Sequence, residues 1–174
     1  MPNTTFLRGE RVRLRPVESN DAAFLQRASN DPELRTPLGH TIPRNESRVA
    51  DDIDSEDDES VRLLVSVDGD PIGLVQVESL SGARPFLSYW LVPESHGNGY
   101  ATEAVGLFVG YVFDNFDKPA LQAFTYEFND ASKNLLRKLG FEQEGRFRKN
   151  AFVSGEHVDT VHFGILREEW VGDE

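Results

Sequence analysis

Phe86-Leu87-Ser88-Tyr89-Trp90-Leu91-Val92, then Pro93-Glu94-Ser95-His96-Gly97-Asn98-Gly99, then Tyr100-Ala101-Thr102-Glu103-Ala104: this stretch decides how the chain folds. The first run is apolar and aromatic and predicts a strand. The last opens a helix over Gly99 to Phe116, with Ala101, Ala104, Val105, Phe108, Val112 and Phe113 recurring as an apolar stripe. Between them, glycines at 97 and 99 allow backbone conformations closed to other residues and let a ligand approach the main chain. Unpaired N–H groups at a helix start favour an anion. The loop is a candidate pyrophosphate holder made of backbone. A nucleotide-hydrolase loop would need Lys-Ser or Lys-Thr after its glycine, where this chain has Tyr100-Ala101. A dinucleotide fingerprint would put Gly or Ala at Thr102 and would open the domain. A tight turn with a structural glycine pair is the competing reading.

Upstream, Glu10 to Arg15 alternates polar and apolar residues and predicts a strand ended by Pro16. Ser19 or Asn20 caps a helix carrying Ala22, Phe24, Leu25 and Ala28, which Asn30-Asp31-Pro32 stops. Within 36–60, Thr36 to Gly39 and Thr41 to Pro43 read as loop, and Asn45 caps a short helix through Ile53. The carboxylate run Asp51 to Glu59 is either an attractor of a cationic acceptor or a solvated loop. Asp68-Gly69-Asp70 joins two apolar runs as a hairpin. Downstream, Leu121 to Phe128 predicts a strand, Ala131 to Leu139 a helix ended by Gly140, and two last strands turn at Ser154-Gly155. With no repeat and no linker, residues 1–174 read as one mixed α/β domain.

Composition bounds the function. The chain is 39% hydrophobic with 12 phenylalanines, enough for a packed core, and no cysteine excludes disulfides, thiolate metal sites and cysteine nucleophiles. No metal site is expected. Met1-Pro2-Asn3-Thr4-Thr5-Phe6 lacks a basic-then-apolar leader, and no apolar stretch is long enough for a membrane span, so a cytoplasmic protein is expected. The net charge of −12 opposes binding to nucleic acid or anionic membranes. Lysine occurs only at 118, 133, 138 and 149, and acidity with scarce lysine is also a habit of proteins from salt-loving organisms.

The loop and four further segments carry a resemblance. Gly97-Asn98-Gly99-Tyr100-Ala101-Thr102-Glu103-Ala104 is followed by Asn129-Asp130-Ala131-Ser132 and then by Lys138-Leu139-Gly140-Phe141-Glu142-Gln143-Glu144-Gly145. Leu7 to Pro16 with Asp21 precedes them; Arg148 and Gly155-Glu156-His157-Val158-Asp159 follow. In this order the chain resembles the GNAT superfamily of N-acetyltransferases, in its branch of ribosomal-protein N-terminal acetyltransferases. The likeness covers nearly the whole chain apart from 36–60. It implies an α+β fold: a twisted, mostly antiparallel sheet of six or seven strands, splayed centrally and flanked by about four helices. It implies acetyl-CoA entering where strands Phe86–Val92 and Leu121–Phe128 part, with main chain at Leu91 and Val92 meeting the pantetheine arm. His96, Gly97, Asn98, Gly99, Tyr100, Ala101 and Thr102 would hold the pyrophosphate, although the family has Arg or Gln where this chain has His96. Asn129 would contact the pantetheine, and Ser132 would lie near the sulfur as hydroxyl donor. A tyrosine that many relatives carry further along this helix is replaced by Asn134-Leu135-Leu136.

Acetyl transfer to an amine needs a neutral amine, a polarised thioester and a proton for the leaving sulfur, and much of the rate comes from positioning. The base is open among Glu78, Glu103, Asp159, His96, His157, His162 and a water relay. Tyr89, Trp90, Tyr126 and Phe128 are cleft or core aromatics, and Lys133 and Arg137 are candidates for the ribose phosphate. The expectation is direct transfer from acetyl-CoA to a protein N-terminus or a small-molecule amine, by a monomer or homodimer. The alternative is a non-catalytic acyl-CoA sensor.

Overall fold

The computed structural model describes residues 4–55 and 57–171; the start of the N-terminal reading, Met1 to Asn3, and Glu56 of the acidic run lie outside the described residues. Strands β1 (Leu7–Arg8) and β2 (Arg13–Pro16) lead to helices α1 (Ala22–Asn30), α2 (Pro32–Leu38) and α3 (Glu46–Asp54). Then come β3 (Val61–Val67), β4 (Asp70–Glu78), β5 (Phe86–Leu91), α4 (Tyr100–Asn115), β6 (Ala120–Tyr126), α5 (Asp130–Lys138), β7 (Glu142–Val153) and β8 (Glu156–Leu166).

The eight strands form one sheet in the order β1-β2-β3-β4-β5-β6-β8-β7. Every neighbouring pair is antiparallel except β5 and β6, which run parallel and share one register position, Phe86 with Gln122. Both strands continue beyond that pair without further pairing, so the sheet opens towards Leu91 and Tyr126. This is the central splay that the resemblance implies.

Two apolar clusters cover the sheet's faces. On one, α4 lays Val105, Phe108, Val109 and Val112 against Val75, Leu87, Leu121 and Phe163, all buried. On the other, α1 and α3 pack Ala22, Leu25 and Val49 on Leu74, with Phe24 and Trp90 at the margin. Arg15 and Asp21 fix the start of α1: the guanidinium donates twice to the carboxylate, at 2.8 Å each, and Glu18 N–H donates to the same carboxylate.

Among the described residues, the structure corrects two expectations. The sheet has eight strands rather than six or seven, because Leu7–Arg8 pairs with β2 as a short extra strand. Five α-helices replace about four, and Thr36 to Leu38 are helical rather than loop. Asp31-Pro32 stops α1 as expected and also begins α2: Asp31 leaves the helical region and its side chain accepts from Glu33 N–H, while Pro32 sits at a first-turn position where no N–H is needed. The predicted Asn45 cap is present, its side chain accepting from Arg48 N–H.

Candidate active site

The loop between β5 and α4 has the backbone the glycines permit. Gly97 and Gly99 both lie at φ +80°, and a Cβ on Gly97 would meet open space. Gly99 is the N-cap of α4 and offers no side chain, so the first-turn N–H groups at Tyr100, Ala101 and Thr102 have no side-chain capping oxygen among the described residues. Glu103 N–H is the first to find a helical partner, Gly99 C=O. An open concave backbone with unsatisfied donors fits a pyrophosphate.

The loop's side chains brace it from within. Asn98 donates to the carbonyls of Ser95 and His96, and His96 Nε2 donates to Leu91 C=O at 2.8 Å. The His96 ring is thus engaged with the end of β5. The sheet register separates the two proposed pantetheine contacts. Val92 N–H donates to Ile72 and its C=O accepts from Ser95, so its main chain is committed. By alternation, the main-chain groups of Leu87, Tyr89 and Leu91 face the splay.

Arg11, 87 residues before the loop, donates to Asn98 C=O at 2.7 Å, and its guanidinium lies 4.9 Å from the Tyr100 ring centroid. Glu103 holds it there. Its carboxylate accepts from Arg11 N–H, Val12 N–H and Arg11 Nε. Burial pushes the Glu103 carboxyl up, but these donors outweigh it and hold it below its ordinary value. Asp159 is likewise committed: Lys149 N–H, then Arg146 Nε, keep its carboxyl low. Neither is placed to collect a proton from an amine.

Below the loop, the splay is a cleft of about 520 Å³ lined by Glu78, Ser88, Tyr89, Tyr126, Asn129 and Ser132 among others. Asn129 caps α5 by accepting from Ser132 N–H. Ser132 Oγ lies 2.8 Å from Tyr89 Oη. Burial pushes the Tyr89 phenol up to about 12, against the Ser132 bond that pulls it down. Lys133, on the same helix, is paired with Asp130 at 3.1 Å. A second hollow of about 270 Å³ lies between the sheet and α1–α3, and the two share Leu38, Glu78, Ser88 and Tyr89. Glu78 is the carboxylate common to both, held by Gln76 Nε2.

The candidate residues thus divide. The structure brings Asn129 and Ser132 together at the cleft and sets the 96–102 loop at one end of the splay. His157 packs tilted against Phe152 on the last hairpin, and His162 packs against Phe124 and Phe147 with Nε2 near Thr160 Oγ1, leaving both outside the two hollows. Sequence reasoning misses Tyr89 as a partner of Ser132, and it misses Arg11. Period-two alternation on β5 is the one signal that puts Tyr89 on the face of Leu87 and Leu91; Arg11 leaves none beyond its place in the N-terminal motif.

Comparison with known proteins agrees with this architecture. Residues 11–142 match the model of the acetyltransferase (GNAT) domain. The chain belongs to this family: it is an N-acetyltransferase with acetyl-CoA as acetyl donor. It is 26% identical over 170 residues to the SPbeta prophage-derived uncharacterized N-acetyltransferase YokL of Bacillus subtilis, covering 95% of this chain and 96% of that one. The spermidine N-acetyltransferase from Vibrio cholerae in complex with CoA and spermine superposes with a TM-score of 0.87 at 18% identity, over 93% and 99% of the two chains. RimL, a ribosomal L7/L12 alpha-N-protein acetyltransferase in complex with coenzyme A, gives 0.80 at 14% identity, over 90% and 94%. No helix among the described residues is long and apolar enough to cross a membrane.

Proposed function

We propose that residues 1–174 work as one catalytic unit that acetylates a primary amine by direct transfer in a ternary complex. The observation that carries this is the meeting of two hollows along β5 at Ser88 and Tyr89, with Glu78 common to both and the Tyr89 oxygen 2.8 Å from Ser132 Oγ. The thioester occupies the splay, with its pyrophosphate on the N–H groups of residues 99–102 and its arm along Leu91 and Tyr89. When bound, acetyl-CoA supplies an activated carbonyl and a thiol leaving group. The amine comes from the second hollow, and Glu78, common to both, takes the amine's proton directly or through water. The C–N bond forms, the C–S bond breaks, and the sulfur receives a proton.

Tyr89 and Ser132 act at the sulfur as hydrogen-bond donors. A phenol near 12 stands far above a thiol at about 8.5, so complete proton transfer from Tyr89 would be uphill by about 5 kcal/mol. The pair stabilises developing charge and relays a proton that the amine releases.

The acceptor is a small-molecule amine or a protein N-terminus; relatives named for both spermidine and a ribosomal protein share the fold. The cysteine-free chain suits a reducing cytoplasm, and 30 acidic against 18 basic residues suit water of high salt and disfavour nucleic acid. The enzyme works as a monomer or homodimer. Release of free coenzyme A, followed with a thiol reagent across a panel of amines, tests the reading: amine-dependent release is expected. Tight acetyl-CoA binding without release for any amine would overturn it in favour of a sensor.

A further inference from the structure

The second hollow is balanced in charge where the whole chain is acidic: Arg44 and Arg62 stand against Asp52 and Glu78. Its floor is a row across three strands, where Arg62 is the Cα partner of Gln76 and Gln76 of Ser88. Its roof carries His40, Arg44 and Asp52. Asp52 serves both guanidinium groups unequally: its carboxylate pairs with Arg44, while Arg62 Nη2 donates to its main-chain carbonyl at 3.1 Å. The charge of Arg62 therefore has no carboxylate partner among the described residues. His40 Nδ1, in the same hollow, is buried without a hydrogen-bond partner among the described residues. Buried polar atoms left unmet are costly, and a ligand that meets them gains accordingly.

Arg44 stands close to two other guanidinium groups. Burial, then the nearby Arg48 and Arg62, hold its guanidinium below the ordinary arginine value. A polyamine entering here would bring more positive charge against these arginines. An anion would relieve them. Yet the rim shared with the splay carries Glu78, a carboxylate suited to an ammonium. Glu78 lies two residues along β4 from Gln76, the partner of Arg62. That places the Cα atoms of Arg62 and Glu78 roughly 8 Å apart, from two residue rises and one strand spacing. At about 270 Å³ the hollow falls just below the roughly 300–1,000 Å³ usual for drug-sized ligands.

From this we infer that the acceptor is a small amine that also carries an anionic group, a carboxylate or phosphate, with Arg62 and His40 receiving the anion and Glu78 the amine. Arg62 is then the residue that sets specificity. The inference rests on the acetyl-transfer reading above and narrows its acceptor from any amine to an anionic one. The negative charge of the rest of the chain does not select the substrate; the wall of the hollow does.

The test is a paired panel with saturating acetyl-CoA: amino acids each beside their own carboxamides, O-phosphoethanolamine beside ethanolamine, and spermidine. The anionic member of a pair is expected to have the higher kcat/KM by about tenfold or more, the scale of a hydrogen bond to a charged group. Arg62→Met should abolish that preference while leaving the Kd for acetyl-CoA unchanged, and Arg62→Lys should retain part of it. Preference for the neutral members or for spermidine in the unmodified enzyme overturns the inference. So does an equal loss on both members of each pair in a folded Arg62→Met protein. If that variant does not fold by its thermal melt, the preference of the unmodified enzyme decides alone. Failure of every amine to release coenzyme A would instead defeat the acetyl-transfer reading.

Discussion

The donor side and the acceptor side of this molecule are built from different materials. On the donor side, the β5–α4 loop presents backbone: two glycines at φ +80° and a helix start with no side-chain cap. On the acceptor side, a hollow between the sheet and α1–α3 presents side chains, brought from α3, from the 39–45 segment and from three strands. A pyrophosphate is held by dipoles that any helix start supplies, so the sequence needs only to keep side chains away. An acceptor is chosen by particular charges, which many combinations of residues provide. The first kind of site constrains sequence tightly; the second constrains it loosely.

Three perturbations test this division, and the largest effect is expected in the acceptor-side scaffold. Asp21→Asn removes one partner of the buried Arg15 fork that fixes α1, and should destabilise the fold by about 3–5 kcal/mol, read by denaturant or thermal melts. The pH dependence follows the same pair. Burial raises the Asp21 carboxyl, but the Arg15 bond, the Glu18 N–H and the guanidinium charge together hold it below its ordinary value. Its folded pKa being depressed, its contribution is fully present above the unfolded value of about 3.9 and is lost as pH falls through the lowered native value. The stability gap between the unmodified protein and Asp21→Asn should therefore close only in strong acid.

Gly99→Val acts on the donor side. It places a β-branched residue at φ +80° with its Cβ 3.1 Å from Arg11 Nη2, and strain of this kind is on the order of 1–3 kcal/mol. Acetyl-CoA affinity measured by calorimetry should fall by roughly tenfold or more, with the fold retained; unchanged binding would remove the phosphate-loop assignment. Tyr89→Phe, where the two sides meet, should be the mildest. Losing one hydroxyl at the sulfur should lower kcat by roughly tenfold while the Kd for acetyl-CoA holds. Combining it with Ser132→Ala should cost less than the sum of the two, because they share one hydrogen bond.

Much of the donor side is legible in the order of residues. The apolar run at 86–92, Gly97, Gly99 and the stripe from Ala101 to Phe113 identify strand, loop and helix, because backbone geometry and periodicity are local properties. Asn129 and Ser132 fall at the start of the next helix for the same reason. Asp31-Pro32 stops α1 as read, but the same capping carboxylate and proline also begin α2, a restart the local pattern does not announce. Lys133 looks free on a helical surface, yet Asp130, three residues earlier, holds it. His96 looks like a titratable candidate, yet its ring is fixed on Leu91 C=O.

The sequence by itself determined the class of fold and the strand–loop–helix at 86–116, since these rest on residues close together in the chain whose spacing has a direct geometric meaning, and the order of its separated motifs carried the resemblance that implies the donor. Only the tertiary structure decided which groups face the reaction. The splay turns on a single register pair, Phe86 with Gln122. Glu103 and Asp159 are withdrawn by partners 92 and 13 residues away. Tyr89 finds Ser132 across 43 residues, and Arg62 comes to lie beside Asp52 with no carboxylate of its own among the described residues. Proximity of that kind comes from the packing of strands and helices against one another, and no local pattern of residues encodes it.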